Sequence, residues 1–440
     1  MGLETPTQIR TLQRKLYCKA KQEPTFRFYS LYDKVYRTDI LAHAYYLVKA
    51  NKGKPGVDNQ TFEDIEKYGL HRFLAELQEE LKAGRYRPQA VRRVMIPKAN
   101  GGERPLGIPT IRDRVAQTAA KLVLEPIFEA DFTEDAYGYR PERSAQQAVA
   151  AVHEGLKAGY VQVVDADLSK YFDTIPHGTL LRSIARRVSD GRILHLIKQW
   201  LTAPVEERNE RGKPIRRSAG SRGTPQGGVI SPLLANIYMR RFLKAWEQRG
   251  SQRRPPSRIV NYADDFVILC RGQAEEAMAE AGAILEAIGL TLNERKTRVC
   301  RAWRESFDFL GYSFGVQYAF GGGRKYLGAY PSAKNLKRIK ETIREMTGPQ
   351  TERQDTTELI GAINHRLRGW SQYFNYGSLW KAYGELDKFT QERVRCWLAR
   401  KHKLDTRGER RFPAKYIYST LGLINIPKVL AARRMPCGGA

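Results

Sequence analysis

The apolar positions of this chain change rhythm twice. From Thr11 to about Ala50 they recur at helical spacing, through Leu12, Leu16, Phe28, Leu31 and the cluster Tyr45-Tyr46-Leu47-Val48. The Gly/Pro run from Asn51 to Asp58 ends that pattern, and a helix is predicted from about Phe62 to Lys82, closed by Gly84. Strand-like segments then alternate with helices. Val91 to Ile96 reads as a strand, and Asn100-Gly101-Gly102 as the turn of a hairpin leading on to Pro109. Helices are expected from about Asp113 to Phe128 and from Ser144 to Lys157, before an apolar strand, Tyr160 to Val164, runs into Asp165-Ala166-Asp167. A helix from Pro176 to Val188 follows, and the glycine-rich loop 223–228 opens a helix that continues past Tyr238. Arg258 to Val260 and Phe266 to Cys270 read as strands on either side of a tight turn holding Asp264 and Asp265. A helix from Ala274 to Ile288, a strand near Val299 and a turn at 307–312 complete this part.

Beyond a boundary near 320–330, marked by Gly321-Gly322-Gly323, only helical spacing remains. One helix starts at Pro331-Ser332 with Leu336, Ile339, Ile343 and Met346 on one face and Lys334, Lys337, Arg338 and Lys340 on the other. A second carries Leu359, Ile363, Leu367, Trp370 and Phe374, with Arg366 and Arg368 between them; a third runs from about Lys388 to His402. The fold class is therefore α+β, with a sheet-containing first part and a basic helical bundle after it.

Charge sharpens this picture. The 75 Lys+Arg against 47 Asp+Glu give a net +28, the mark of a polyanion-binding protein. The segment from Pro331 onward contributes +12, leaving +16 for the rest, so the basicity is a long surface and not a single tail. A share of 42% hydrophobic residues excludes a disordered chain, and at 440 residues two or three folding units are expected. No stretch of about 18 apolar residues occurs and the first ten residues lack a secretory apolar core, so no membrane partner is expected. Five scattered cysteines without zinc-ligand spacing read as reduced thiols of a cytoplasmic protein.

Asp264 and Asp265 are the candidate chemistry. Adjacent carboxylates repel, and burying them unpaired costs several kcal/mol or forces protonation. Two readings fit: a solvated hairpin turn, or a site for a hard divalent cation such as Mg²⁺ or Mn²⁺. Asp165 and Asp167 alternate on their strand and share a face, so either could join such a site. Lys98 and Arg104 sit on opposite arms of the first hairpin, where two cations could hold phosphates.

In order, Ile96-Pro97-Lys98 with Arg104, Asp167 with Phe172-Asp173, Gly223-Thr224-Pro225-Gln226-Gly227-Gly228, Tyr262-Ala263-Asp264-Asp265, Leu292-Asn293 with Lys296-Thr297, and Phe309-Leu310-Gly311-Tyr312 form a set. That set resembles the reverse transcriptase/maturase proteins encoded within group II introns, over nearly the whole chain. The resemblance implies a right-hand polymerase, with fingers and palm built on antiparallel sheet at 51–325 and an α-helical thumb/maturase domain at 326–402. A basic helical N-terminal extension at 1–50 and a basic C-terminal tail at 403–440 would flank them. It implies Asp167, Asp264 and Asp265 as the catalytic acids holding two Mg²⁺ ions, with Mn²⁺ as a substitute, and the Leu168 carbonyl as a further ligand. By its spacing Asp165 becomes structural. Lys98, Arg104, Phe172, Gln226 and Lys296 would bind dNTP, with Phe172 as the gate against a 2′-hydroxyl. Phe309, Leu310 and Gly311 would grip the primer, and Lys334, Lys337, Arg338, Arg366 and Arg368 would meet RNA. Trp370, Tyr373 and Phe374 have the spacing of core residues, although such rings also stack on bases.

The implied function is RNA-directed DNA synthesis and assistance to splicing, with group II intron RNA, an RNA template and a DNA primer or target DNA as partners. An enzyme recruited to host defence or DNA repair is the alternative. Two departures from the family pattern stand out. No paired Cys-x-x-Cys or clustered His set marks the H-N-H nuclease extension that many members carry, so second-strand cleavage is not expected. Asn59 replaces the usual Gly after Val57-Asp58, leaving the conformation of that loop open.

Overall fold

A computed structural model describes residues 3–97, 102–208, 213–253, 257–319 and 323–434. Among the described residues eleven strands make three sheets. They are β1 (Val91–Pro97), β2 (Glu103–Ile108), β3 (Gln162–Asp167), β4 (Val205–Arg208), β5 (Pro214–Arg217), β6 (Ser257–Tyr262), β7 (Asp265–Cys270), β8 (Arg298–Arg301), β9 (Phe307–Phe309), β10 (Tyr312–Tyr318) and β11 (Lys325–Pro331). The central sheet has the order β6-β7-β3-β8 with every pair antiparallel. A second sheet, β2-β1-β4-β5, carries the predicted hairpin, and a third is β11-β10-β9. The chain is α+β, as its pattern predicts.

The central sheet is a partition. Strand side chains alternate between faces, so Val164, Ala166, Ile259, Phe266 and Ile268 enter one core, which also holds the N-terminal helices. Val163, Val260, Val267 and Leu269 enter a second core, shared with helix Ala145–Lys157 and the C-terminal helices. Burial on both faces explains why β3 and β7 read as continuous apolar runs. Only at the ends of these strands does the sequence turn acidic.

The basic N-terminal segment is helical and packs against the rest of the chain. Helices Thr7–Gln22 and Thr38–Ala50 bury Ile9, Leu16, Leu41 and Tyr45 in the first core. Arg187 clips the connection between them: buried, it donates to the carbonyls of Ala20 (2.7 Å), Glu23 (3.0 Å), Pro24 and Phe26, and its Nε lies 3.3 Å from Asp131. The helix expected from Phe62 to Lys82 breaks in two at Gly69, whose φ of 106° no helix accommodates. Asn59 takes φ 56°, the conformation a glycine would adopt there, so the replacement preserves the loop's backbone.

Helices Ala333–Met346, Thr356–Tyr373 and Trp380–Lys401 form the C-terminal bundle. The last begins eight residues before the expected start, because Tyr383 and Leu386 are buried along with Val394 and Trp397. The expected tail from 403 is not one: through residue 434 it folds back on the bundle. Leu423, Ile426 and Leu430 are buried, Asn364 exchanges hydrogen bonds with Gly422 O and Ile424 N, and Asp387 accepts from Ile426 N and Tyr418 Oη. Its basic composition masked this apolar spacing. Trp370 and Phe374 are core, and only Tyr373 keeps much exposure. His153 joins the bundle to the sheet domain, 3.0 Å from both Leu327 O and Tyr376 Oη. Among the described residues Cys18, Cys300 and Cys396 are free thiols, and none of the described helices is long and apolar enough to cross a membrane.

Replacing Arg187 with Met takes a donor from four carbonyls and leaves Asp131 without one of its two cations. Loss of about 3 kcal/mol is expected, seen as a lower denaturation midpoint and as earlier protease cleavage at 23–37.

Candidate active site

Register brings the acids together. In the β3–β7 pairing Asp167 lies opposite Asp265, so the ends of two central strands deliver two carboxylates side by side. Asp264 occupies the two-residue turn with Ala263, while Asp265 is already the first residue of β7. The turn needs φ 60° at Ala263, a conformation worth about 1 kcal/mol of strain or more in a residue with a side chain. Its surroundings hold it. Asn261 Nδ2 donates to Ala263 O (2.9 Å), Leu168 N to Asp264 O (3.3 Å), and Tyr137 N to Asn261 O (2.9 Å). Segment 135–138 lies beside the turn so closely that a Cβ on Gly138 would stand 2.6 Å from Ala263 N.

The electrostatics are those of carboxylates short of positive charge. Crowding and burial push Asp265 up to about 7, with Asp264 and Asp167 adding to the effect; heavy atoms surround its carboxyl group although the residue retains solvent access. Burial, then Asp167, raises Asp264, against the pull of Lys296 and Arg104. Asp167 Oδ2 accepts from Lys296 Nζ (2.8 Å) and Asn293 Nδ2 (3.0 Å), and that bond holds Lys296 above the ordinary lysine range. Among the described residues no three carboxylate, imidazole or thiol groups form a ready ligand array. Asp167 is turned toward Lys296 instead. The donor set nonetheless suits a hard divalent cation: it is all oxygen and clustered, and burial together with neighbouring carboxylates raises Asp264 and Asp265, a penalty that a dication would relieve.

Asp165 sits apart from this cluster. It lies on β3 opposite Arg298 of β8, Nε to Oδ2 3.5 Å, and burial pushes it up to about 6 despite that partner.

A cavity of about 970 Å³ opens beside the acids. It collects Arg104 from β2, Asp167, Leu168 and Phe172 from the β3 end, Gln226 from the glycine-rich loop, and Asp264 and Lys296. That loop precedes a helix starting at Ser231 and presses on the first hairpin: Gly107 N donates to Gln226 O (2.5 Å), and a Cβ on Gly227 would meet Gly107 O at 2.2 Å. Lys98 lies outside the described residues. A larger cleft, about 1320 Å³, runs behind β1 and β2 past Arg92 and Met95 but contains none of the acids, so size does not mark the site.

Phe309, Leu310 and Gly311 form the β9–β10 turn outside the cavity wall. Leu310 O accepts from Tyr373 Oη (2.8 Å) and Gly311 O from Ser332 N (3.0 Å), which ties this turn to the bundle. Of the basic bundle residues, Lys334 lines the cavity itself; Lys337, Arg338, Arg366 and Arg368 are exposed elsewhere on the helices. Sequence reasoning missed Tyr139, which lines the cavity from the loop after Gly138. An aromatic-Gly-aromatic run, Tyr137-Gly138-Tyr139, is its only trace.

Residues 96–314 match the family described as reverse transcriptase (RNA-dependent DNA polymerase), and residues 336–416 match the group II intron, maturase-specific domain. Protein YkfC of Escherichia coli (strain K12) is 37% identical over 345 residues, 69% of this chain and 87% of that protein. The "Uncharacterized 91 kDa protein in cob intron" of Schizosaccharomyces pombe is 26% identical over 416 residues, 77% of this chain and 49% of its own length. Group II intron-encoded protein LtrA of Lactococcus lactis subsp. cremoris is 36% identical over 215 residues, 48% of this chain and 34% of LtrA. The chain thus spans half or less of the latter two.

Gly138→Ala drives a Cβ into the turn backbone, with no flexible side chain to yield. It is expected to destabilise the fold by about 1–3 kcal/mol, typical of overpacking, measured as a fall in the urea midpoint.

Proposed function

Because the chain belongs to the reverse transcriptase (RNA-dependent DNA polymerase) family and carries a group II intron maturase-specific domain, we propose that it copies RNA into DNA at the three-aspartate site and that its C-terminal bundle binds group II intron RNA. The observation that carries the catalytic half is the Asp167–Asp265 pairing with Asp264 in the adjoining turn, Asp167 and Asp264 lining a cavity that also holds Arg104, Gln226 and Lys296.

In this reading Asp167, Asp264, Asp265 and the Leu168 carbonyl hold two Mg²⁺ ions, for which Mn²⁺ can substitute. When bound, the metal pair supplies activation of the primer 3′-hydroxyl and neutralisation of the departing pyrophosphate. Arg104, with Lys98 from the other arm of the hairpin, positions the dNTP triphosphate by charge and hydrogen bonding. Gln226 lies against the sugar, held there by its backbone bond to Gly107. Phe172 faces the 2′ position, where a hydroxyl would collide with its ring. Lys296 exchanges its bond to Asp167 for the leaving phosphates when substrate and metal arrive. Phe309, Leu310 and Gly311 seat the primer end, positioned against the bundle through Tyr373 and Ser332.

Residues 51–325 act as fingers and palm and 326 onward as thumb and maturase domain, with Lys334, Lys337, Arg338, Arg366 and Arg368 toward RNA. The partners are intron RNA, an RNA template with a DNA primer or target DNA, and dNTPs. The working site is a nucleic-acid complex in the cytoplasm or its organellar counterpart.

Primer extension on an RNA template with dNTPs and Mg²⁺ is expected from the intact protein, and Asp264→Ala is expected to reduce it by at least a thousandfold without lowering the melting temperature. Residual activity close to wild type would remove Asp264 from the catalytic set. RNA binding, with many phosphate contacts spread over a +28 chain, is expected to weaken by about a thousandfold or more between 50 and 200 mM salt; filter binding that varies little over this range would contradict an extended basic surface.

A further inference from the structure

Tyr139 is built into the cavity wall in an unusual way. Its backbone lies at φ 55°, where Gly or Asn is at ease and an aromatic residue is strained. Both neighbours are fixed. Gly138 is pressed against the catalytic turn and its carbonyl accepts from the buried Asn236 Nδ2 at 2.7 Å. Arg140 is buried, paired with Glu129 at 2.5 Å and donating to the carbonyls of Thr133 (2.6 Å) and Ala136 (2.7 Å). The ring therefore starts from a rigid base, yet it is 51% exposed, so burial does not explain it.

What the ring touches does explain it. It stands edge-to-face to Phe172, centroids 6.4 Å apart at 79°, and tilted to Tyr262, also at 6.4 Å. Phe172 follows Asp167, and Tyr262 precedes Asp264, so one ring contacts both acid-bearing segments. Phe172, packed against the first core, also meets Tyr171 (5.6 Å), whose fully buried ring is anchored by its hydroxyl to Ala235 O (2.6 Å). Phe172 thus has two aromatic neighbours, the anchored core ring of Tyr171 and the cavity ring of Tyr139. Phe172 itself lines the cavity, so losing the edge contact of Tyr139 leaves its χ1 less restricted among the staggered wells.

We propose that Tyr139 is a positioning residue for sugar discrimination: its ring holds Phe172 in the one orientation in which a 2′-hydroxyl meets a rigid edge. This rests on the reading of Phe172 as the gate.

The test is the ratio of kcat/KM for a dNTP to that for the rNTP of the same base, on an RNA template with a DNA primer. It is measured for the wild type, Tyr139→Gly, Tyr139→Phe, Phe172→Ala and the double variant Tyr139→Gly/Phe172→Ala. Glycine takes φ 55° without strain, so the variant removes the ring without burdening the fold, and a melting temperature at or above wild type checks this. The ratio is expected to fall about three- to tenfold in Tyr139→Gly, the scale of one lost aromatic edge contact. Tyr139→Phe is expected to restore it, and the double variant to match Phe172→Ala alone. An unchanged ratio in Tyr139→Gly, including an equal loss for both nucleotides, while Phe172→Ala lowers it, overturns the role of Tyr139 and leaves the gate standing. A double variant in which the two effects add also overturns it, since Tyr139 would then act independently. If Phe172→Ala leaves the ratio unchanged, the gate reading fails and this inference fails with it.

Discussion

Repulsion among Asp167, Asp264 and Asp265 is the constraint around which the rest is arranged. Three carboxylates cannot be gathered in a crowded site unless something forces them together and something else offsets their charge. The force is the hydrogen-bonded register of β3 with β7, fixed by apolar side chains buried on both faces of the sheet. A one-residue slip would move each of those side chains to the wrong core, so the positions of the acids are specified by hydrophobic burial far from them. Lys296 and Asn293 offset part of the charge on Asp167. The remainder shows in the raised pKa of Asp264 and Asp265.

Several elements were legible from pattern alone because each carries a local physical signal. Strands β3 and β7 announce themselves as apolar runs ending in acids, and the helix at Ala145–Lys157 by its Ser144 capping box and apolar face. The choice of Asp167 over Asp165, two residues earlier on β3, was not available from alternation, since both share a face; pairing with Arg298 separates them. Tyr139 was illegible for a related reason. Its significance lies in a left-handed backbone and in two ring contacts across sequence separations of 33 and 123 residues, none of which leaves a periodic trace.

The C-terminal segment shows how composition can mislead. Residues 403–434 are rich in Arg and Lys, and so read as a solvated tail. A few buried groups decide otherwise. Leu423, Ile426 and Leu430 supply the apolar contact, while Asp387 and Asn364 satisfy backbone donors and acceptors that burial would otherwise leave unpaired. Likewise, the N-terminal helices carry basic residues on one side and the first core on the other. Charge describes the outer surface of such segments and says little about their inner one.

Lys334 belongs to the first helix of the bundle, yet it lines the same cavity as Asp167, Asp264 and Arg104. One of the cavity's positive charges is therefore carried by a separate body of secondary structure, joined to the sheet domain through the β9–β10 turn, β11 and the His153 contacts. The positive charge lining the cavity therefore depends in part on where the bundle sits against the sheet. Moving this helix away from the sheet would take one positive charge out of the cavity without moving any of the acids, so the cavity's charge balance depends on how closely the two halves of the chain are packed.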